Sequence, residues 1–515
     1  MTQAIRRWDH IELAFEAETA GNPFLDVSLE VTFVHGHRRL PVQGFYDGVN
    51  HDGAMPGGGV WRARCMPDAL GDWRWETRSN LPALDGRSGT FVCEPPAAGV
   101  RGPVQVVDRY HFAYADGTPY HPVGTTCYVW NHQGDALEEQ TLRTLADAPF
   151  NKMRMCVFPK RYLYSLNEPP CYPFVGEVSG TYDPALVRQR NVPPPDYWDF
   201  DQFNPAYFRR LERRILDLQA LGIEADLILF HPYDHGAWGF DQMPREVNER
   251  VLRYLVARLA AFRNVWWSFA NEFDLMRHLT TADWDHYFRL VQTLDPHQHL
   301  RSIHNCMSFY DHAKPWVTHC SIQHHDLTQV PRWLALYGKP VVVDECGYEG
   351  DIGQVWGSLS AEELLVRMWL GFTEGGYVGH GETYWNPEER LWWSKGGTLQ
   401  GESVARIGFL REVIEAVPAP GLDPTGADGT GNRLVPEGNW NKVAAGHRGD
   451  DYFLFYFGMH QPRVRTFSLP EGRYRAERLD TWNMSVEPAG AGLAGTVDIA
   501  LPARKHMAVR IMREG

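Results

Sequence analysis

Two glutamates follow apolar runs of the kind found in buried strands. Glu272 comes after Asn271 and residues 265–270, Val-Trp-Trp-Ser-Phe-Ala, and Glu345 comes after residues 341–344, Val-Val-Val-Asp. An unpaired carboxylate beside such a run carries a large desolvation cost, so we expect a functional site rather than a structural role. For the second run, Asp344 could instead be the functional group.

Two carboxylates are the groups that glycosyl transfer to water requires. One acid protonates the leaving oxygen, and the other carboxylate attacks the anomeric carbon or activates water. The dipeptide Asn-Glu by itself carries no information, because it also occurs at residues 167–168 and 248–249. Only the pair at 271–272 directly follows an apolar run.

Further polar residues stand at the ends of the other predicted strands, which meet at one pocket if the strands form a barrel. Single histidines are commonly structural, so these residues carry weight as a set. The set comprises Arg154 on the second strand, His231 after the third, His304 on the fifth, His324 after the sixth, and His380 and Glu382 on the eighth.

Metal and cofactor motifs are missing from the sequence. His235, His319 and His325 have no H-E-x-x-H or comparable spacing. There is also no G-x-S-x-G, no P-loop, and no G-x-G-x-x-G between a strand and a helix. We therefore expect neither a metal nor a cofactor.

Alternating strands and helices must position these residues. Between residues 104 and 417, apolar runs alternate with amphipathic segments, and eight such repeats in about 310 residues predict a (β/α)8 TIM barrel of the α/β class. The predicted strands are 121–126, 152–158, 224–230, 265–270, 301–304, 320–323, 340–344 and 377–380.

Helix signals fall between these strands. Apolar residues spaced by three or four predict a helix over 208–221 that ends at Gly222. Ser360-x-x-Glu363 is a capping box that predicts the start of another helix. The aromatic- and proline-rich residues 162–201 form a long insertion after the second strand, on the catalytic face.

Short alternating runs flank the barrel on both sides. They predict an N-terminal β-sandwich over residues 1–103 and a C-terminal β-sandwich over residues 427–515. We expect the N-terminal sandwich to pack against the barrel or a neighbouring subunit, because Trp61, Trp73 and Trp75 need partners. We therefore expect a homo-oligomer.

Composition limits the partners and the compartment. The 515 residues include 50 Lys and Arg against 64 Asp and Glu, a net charge of −14. This acidity disfavours nucleic acid and anionic membranes as partners. No signal peptide or membrane span is predicted, and the eight cysteines lack C-x-x-C spacing, which favours reduced thiols. We expect a cytoplasmic protein.

The positions of Asn271-Glu272 and Glu345 resemble the retaining glycoside hydrolases of clan A, the "4/7" barrel superfamily. The resemblance implies Glu272 as acid/base and Glu345 as nucleophile. It implies that Arg154 and His231 support the site and contact substrate, and that Trp385 is an aromatic floor. By the same resemblance Glu345, which Asp344 precedes, lies near Arg154, whose charge would lower its pKa. Desolvation by the apolar run before Glu272 would raise the pKa of that glutamate.

A closer resemblance covers nearly the whole chain. Residues 60–75, 198–208, 230–240 and 480–484 are similar to a bacterial group of glycosidases with N- and C-terminal β-sandwiches, and the barrel is similar to the apiosidase-like hydrolases. Asp234 lies within one of these motifs and is included, with Asn271, among the implied substrate contacts. Two residues depart from the clan pattern: His324-His325 replace the usual Tyr, and Cys346 follows Glu345.

These features predict a retaining, exo-acting glycosidase that cleaves small glycosides or oligosaccharides, with a carbohydrate substrate as its partner. An endo-glycanase of cellulase or mannanase type is one alternative. A non-catalytic carbohydrate-binding barrel is another, although two retained glutamates disfavour it. The sugar, its anomer and its ring size stay open.

Overall fold

The computed structural model describes residues 3–49, 58–189, 192–424 and 443–515. The N-terminal part contains one five-stranded sheet, in the order β1-β8-β7-β3-β4, and one three-stranded sheet, in the order β2-β6-β5. The strands are β1 Gln3–Arg6, β2 Ile11–Ala17, β3 Leu29–His35, β4 Arg38–Gln43, β5 Phe45–Val49, β6 Gly59–Cys65, β7 Gly71–Ser79 and β8 Ser88–Glu94.

The two N-terminal sheets share one apolar core. Trp61 on β6 and Trp73 on β7 are buried in it together with Phe33 and Phe91, and Trp73 stacks on Phe91. Trp75 packs edge-on against Phe15. The expectation that these tryptophans need partners outside their own sheets is therefore wrong for Trp61 and Trp73, because alternate residues of each strand point inward between the two sheets.

Buried ion pairs attach the N-terminal sheets to the central part. Arg64 on β6 contacts Glu212, with 2.9 Å between Nη1 and Oε1. Asp47 on β5 lies 2.9 Å from Arg258 and 3.1 Å from Arg209. The partners of β5 and β6 belong to two helices of the central part, so the N-terminal sheets and these helices form one packed unit.

The central part mixes helices with parallel strands, which confirms the α/β class. Small hairpin strands precede it: β9 Val104–Val107, β10 His111–Tyr114 and β11 Pro119–Tyr120. The parallel strands form one sheet in the order β12-β13-β16-β17-β18 and another in the order β19-β20-β22. They are β12 Gly124–Thr126, β13 Lys152–Cys156, β16 Glu224–Phe230, β17 Val265–Ala270, β18 Arg301–Ser302, β19 Cys320–Gln323, β20 Val341–Glu345 and β22 Tyr377–Val378.

Single parallel bridges join the two sheets at both seams. One links Thr125 to His380, and the other links His304 to Ser321. The strands beside these seams, β18 and β22, contain only two residues each. The eight strands therefore form two sheets connected by bridges rather than one continuous hydrogen-bonded sheet.

Helices follow most of the parallel strands. In α2, Asn204 caps the start, Pro205 occupies the first turn, and an apolar stripe faces the core, as the spacing predicts. Ser360 caps α6 by accepting from the Glu363 backbone N–H. The helices are α1 Asp135–Asp147, α2 Pro205–Ala220, α3 Arg245–Leu259, α4 Thr281–Leu294, α5 Val330–Tyr337, α6 Ala361–Thr373, α7 Trp392–Lys395 and α8 Ser403–Glu415.

The capping box predicted at Ser360 is formed only in part, because the Glu363 carboxylate pairs with Arg367 one turn later. The predicted insertion contains an antiparallel strand pair, and further short strands lie beyond β20 and β22. These strands are β14 Phe174–Gly176, β15 Trp198–Phe203, β21 Glu349–Gly350 and β23 Glu382–Thr383.

The C-terminal part has a six-stranded sheet in the order β24-β25-β26-β31-β28-β29 and a two-stranded sheet of β27 and β30. Trp369 of α6 stacks on Tyr456 of β26, which joins this sheet to the central part. The strands are β24 Asp423–Pro424, β25 Ala444–Arg448, β26 Tyr452–Tyr456, β27 Val464–Ser468, β28 Tyr474–Asp480, β29 Ser485–Leu493, β30 Thr496–Ala500 and β31 Met507–Arg513.

Two further features concern membrane spans and cysteines. No helix in the described ranges is both long and apolar enough to span a membrane. All eight cysteines carry thiols rather than disulfides.

Candidate active site

Glu272 begins the turn that follows β17. It is 9% exposed, and its backbone has φ 48° and ψ 53°, the left-handed region that a non-glycine residue seldom adopts. Such a conformation costs about 1–3 kcal/mol and persists where the surrounding structure requires it. Asp274 accepts three backbone N–H groups of residues 306–308 and so fixes a second loop beside Glu272.

Glu345 is the last residue of β20. The Tyr128 hydroxyl donates a hydrogen bond to its Oε1. His304 Nε2 lies 3.9 Å from the same oxygen. His304 is fully buried, and desolvation holds the pKa of its ring well below the usual value, so the ring is neutral. Glu345 is therefore held by neutral groups.

A chain of polar side chains connects the two glutamates. Tyr128, which donates to Glu345, lies 3.3 Å from Asn271 Oδ1. The Asn271 amide nitrogen lies 3.4 Å from the hydroxyl of Tyr233. Tyr233 in turn donates to Glu272 Oε2. The structure thus brings Glu272, Glu345 and Asn271 together at the carboxyl ends of the strands, where barrel enzymes carry their catalytic groups.

A buried ion cluster lies on the strands below this chain. Lys152 Nζ contacts Asp226 at 2.6 Å and Asp344 at 2.8 Å. Arg154 lies 3.4 Å from Asp226 and donates from Nη2 to Asn271 Oδ1 at 2.8 Å. Desolvation is outweighed by these cations, which hold the pKa of Asp344 well below its usual value. Asp344 belongs to this cluster, so the alternative that it replaces Glu345 as the functional carboxylate is not supported.

Burial dominates the protonation of both glutamates. It raises the pKa of Glu345 to about 8, against a smaller lowering effect of the Tyr348 hydroxyl. The expectation that Arg154 lowers the pKa of Glu345 is wrong, because the charge of Arg154 is balanced within the ion cluster. Burial also raises the pKa of Glu272, as expected, and the Lys160 charge opposes that shift.

Two of the other predicted residues support the framework of the site. His231 accepts from the Tyr233 backbone N–H at 3.2 Å, so it positions the loop that carries Tyr233. His380 lies 2.9 Å from Thr125 Oγ1 and stacks on Phe150 in the interior of the strands.

Two predicted carboxylates bind backbone instead of facing the pair. Asp234 accepts the backbone N–H groups of residues 238–240. Glu382 accepts from Gln400 at 2.6 Å and Gly401 at 2.8 Å, one with each oxygen. These contacts give both carboxylates a structural role, because buried backbone N–H groups require such acceptors. A substrate contact for either residue stays a prediction.

His324 and Trp385 lie just beyond the ends of β19 and β23. His324 Nδ1 accepts from the Asp326 backbone, and its ring stacks on His325. Trp385 is 53% exposed, and its backbone N–H donates to Asp351 at 2.6 Å. A substrate contact for either residue stays a prediction.

Several residues of the site escaped the sequence analysis. They are Tyr128, Lys160 and Tyr233, together with Gln323 and Cys306, whose side chains hydrogen-bond to Glu272 and lower its pKa. Four lie within five residues of the end of a parallel strand, and Gln323 is the last residue of β19. A search of the loops beyond each strand end, rather than of the ends alone, could have found them.

The side chains at this site are suited to proton transfer and to attack on carbon. In the described ranges of the chain, no group of three or more His, Cys, Asp or Glu side chains is arranged to hold a metal ion. The residues that meet at this site supply two carboxyl groups with tyrosine donors.

The family model of the apiosidase-like catalytic domain matches residues 107–418. Two further families, each described as a domain of unknown function, match residues 4–80 (DUF5060) and 440–512 (DUF5605). No curated protein matches the chain with significance.

Solved structures show the same relationship. A proposed glycoside hydrolase from Bacteroides vulgatus ATCC 8482 is 39% identical, with both chains covered over 100% of their length and a TM-score of 0.88. A family 5 glycoside hydrolase from the same organism is 15% identical over 80% of this chain and 94% of that chain, with a TM-score of 0.60, which shows the fold alone. The chain therefore belongs to the apiosidase-like family and is a glycoside hydrolase.

Proposed function

We propose that the protein is a retaining, exo-acting glycosidase that cleaves small glycosides or oligosaccharides. Glu345 is the nucleophile and Glu272 is the acid/base. The observation that carries this proposal is the placement of both glutamates at the carboxyl ends of β17 and β20, with one tyrosine hydroxyl on each.

The proposed reaction has two displacements. In the first, the Glu345 carboxylate bonds to the anomeric carbon while the C–O bond to the leaving group breaks and Glu272 gives its proton to the leaving oxygen. In the second, Glu272 removes a proton from water, the water oxygen bonds to the anomeric carbon, and the bond to Glu345 breaks. A carboxyl separation of about 5–5.5 Å is expected for this course.

The raised pKa values of the two glutamates favour a shared proton. Burial raises the pKa of both carboxyl groups, and two carboxyl groups in one buried pocket share a proton more readily than they both ionise. The proposed division of labour requires that this proton lies on Glu272 while the Tyr128 hydroxyl donates to a Glu345 carboxylate.

Exo action is supported by the insertion between β13 and α2. Its Tyr162 contacts Tyr233 and Trp393, with ring centroids 5.3 Å and 6.2 Å apart, so the insertion adjoins the site. A wall at this place would close one end of a groove and leave a pocket. An endo-glycanase would need a cleft open at both ends.

We also propose the finer architecture and the compartment. The eight parallel strands close into a (β/α)8 barrel over residues 104–417, supported by the bridges at Thr125 and His304. The described residues within 1–103 and 427–515 form β-sandwich domains, supported by the paired sheets on each side. A cytoplasmic location is supported by the eight thiols.

Activity on a panel of 4-nitrophenyl glycosides tests the function. Proton NMR of the first sugar product distinguishes retention from inversion, and oligosaccharides labelled at the reducing end distinguish exo from endo cleavage. A product of inverted configuration would contradict the retaining mechanism. Binding of sugars without any hydrolysis would favour the non-catalytic alternative.

A further inference from the structure

Lys160 is a buried cation in the loop after β13, and the proposed reaction does not use it. Its side chain is 3% exposed. Its ammonium nitrogen lies 3.8 Å from the ring centroid of Tyr128, 4.2 Å from that of Tyr233, 4.5 Å from that of Trp393 and 5.1 Å from that of Tyr162. Burying an ammonium is costly, and the faces of aromatic rings compensate part of the cost.

The two closest rings belong to the tyrosines that bind the glutamates. Tyr128 donates to Glu345, and Tyr233 donates to Glu272. A cation over the face of a phenol ring fixes the plane of that ring. It also draws electron density from the ring, which makes the hydroxyl a stronger donor to a carboxylate.

We propose that Lys160 is a positioning residue that holds the hydroxyls of Tyr128 and Tyr233 on the two glutamates. It acts through the tyrosines, and its charge also opposes the burial that raises the pKa of Glu272. One charge therefore orients both halves of the catalytic pair. The inference rests on the proposed roles of Glu272 and Glu345, but the geometry of the two hydrogen bonds can be measured without catalysis.

A second lysine provides a matched control. Lys314 lies 4.7 Å from the ring centroid of Tyr310 and 5.6 Å from that of Trp316. Its ammonium also forms a salt bridge of 2.6 Å with Asp285. Lys314 thus combines cation–aromatic contacts with an ordinary ion pair, on elements that carry neither glutamate.

The charge of Lys160 depends on pH within an accessible range. Burial lowers its pKa to about 8. The ammonium is therefore charged at pH 6 and largely neutral at pH 9.5, so its hold on the tyrosines weakens as the pH rises. The titratable or charged groups that interact with Lys160 are Cys156, Glu272, Arg154, His231 and His235.

Crystal structures of the wild-type protein and of Lys160→Met at pH 6 test the geometry. We expect the Tyr128–Glu345 and Tyr233–Glu272 oxygen pairs to separate beyond hydrogen-bonding distance in Lys160→Met and to stay bonded in Lys160→Arg. Unchanged distances in Lys160→Met would overturn the proposal. If Lys160→Met does not fold, wild-type crystals at pH 6 and pH 9.5 give the same comparison.

Kinetics test the consequence. On the best 4-nitrophenyl glycoside, kcat/KM of the wild-type protein should exceed that of Lys160→Met at least about tenfold at pH 6, the loss expected for one charge-assisted hydrogen bond. The ratio of the wild-type kcat/KM to that of Lys160→Met should approach one at pH 9.5. Lys160→Arg should keep the activity that Lys160→Met loses at pH 6. Lys314→Met should show no such pH-dependent ratio.

A wild-type to Lys160→Met ratio that stays constant with pH would overturn the proposal, because a purely structural role predicts it. If the wild-type protein hydrolyses no glycoside, the proposed function fails. The crystallographic distances then still decide whether Lys160 positions the two tyrosines.

Discussion

Arg154 donates a hydrogen bond of 2.8 Å from Nη2 to Oδ1 of Asn271. This contact decides which way the Asn271 amide points, so that its nitrogen lies 3.4 Å from the Tyr233 hydroxyl. Arg154 also belongs to the ion cluster with Asp226 and Lys152. The interior of the strands is thereby connected to the polar chain between the glutamates.

Replacement of Arg154 by methionine tests the ion cluster. Without Arg154, the buried ion cluster keeps Lys152 as the single cation beside Asp226 and Asp344. Breaking a buried ion pair by removing one partner costs about 3–5 kcal/mol, and we expect a loss of that size in the free energy of unfolding in urea. Arg143→Met, at an exposed position of α1, is the control and should change stability little. A loss below about 1 kcal/mol, the range of exposed pairs, would show that the cluster does not stabilise the fold.

Removal of the Tyr128 hydroxyl tests the support of the nucleophile. Tyr128→Phe deletes the hydroxyl that donates to Glu345 and lies 3.3 Å from Asn271 Oδ1. A hydrogen bond to a charged group contributes about 1.5–3 kcal/mol, so kcat/KM should fall about tenfold to a hundredfold. The fall should be similar for good and poor leaving groups, because Glu345 attacks carbon in both cases.

Removal of the Tyr233 hydroxyl should act on the acid/base instead. Tyr233→Phe should lower kcat/KM more for poor leaving groups, which need protonation by Glu272. Tyr287→Phe is the matched control. The hydroxyl of this buried tyrosine contacts Asn248 between α3 and α4, so its loss should not change the leaving-group dependence of kcat/KM. Equal leaving-group dependence in the Tyr128 and Tyr233 variants would contradict the division of roles.

Glu224 makes stability depend on pH. It lies at the start of β16, accepts from Trp266 Nε1 at 3.0 Å, and burial raises its pKa to about 8. The folded state therefore keeps a proton that the unfolded state loses near its ordinary pKa. The stabilisation is complete below the unfolded pKa and is lost as the pH rises toward 8.

Glu224→Gln should therefore flatten the dependence of the free energy of unfolding on pH between pH 5 and pH 8. One proton corresponds to a slope of at most about 1.4 kcal/mol per pH unit. Urea unfolding at several pH values measures the slope. Glu487→Gln, at an exposed position, should leave it unchanged. Equal slopes in wild type and Glu224→Gln would show that Glu224 is ionised in the folded protein.

The sequence predicted the long central strands best. The predicted bounds of 224–230 and 265–270 are those of β16 and β17, because strands buried on both faces are continuous apolar runs. The predicted strands at 301–304 and 377–380 each contain only two strand residues in the structure. Beyond these residues, single bridges replace the continuous main-chain hydrogen bonds of a strand.

Of the site, the sequence predicted the two glutamates. Glu272 and Glu345 each stand within two residues of the end of an apolar run, where a carboxylate is unusual. Tyr128, Lys160 and Tyr233 lie in loops two to four residues beyond their strands. No periodicity marks such positions, and only the folded loops bring them to the glutamates.

Substitution of each glutamate separates nucleophile from acid/base. Glu345→Gly should abolish turnover of every glycoside, because no other group forms the glycosyl-enzyme. Glu272→Ala should still form the glycosyl-enzyme from aryl glycosides with good leaving groups, because these need little protonation. Hydrolysis of that glycosyl-enzyme should then stall. Each loss should be at least about a hundredfold, the low end for general acid–base catalysis. Glu374→Ala, at a buried glutamate at the end of α6, is the control and should retain activity.

Azide distinguishes the two variants by the configuration of the product. It needs no base, so with Glu272→Ala it attacks the glycosyl-enzyme from the face that water uses and gives a glycosyl azide of retained configuration. With Glu345→Gly it occupies the space of the missing carboxylate, attacks the substrate directly and gives the inverted azide. Proton NMR of the isolated azides measures the outcome. The opposite pairing of products would mean that the roles of Glu272 and Glu345 are exchanged, because azide reports which face each side chain guards.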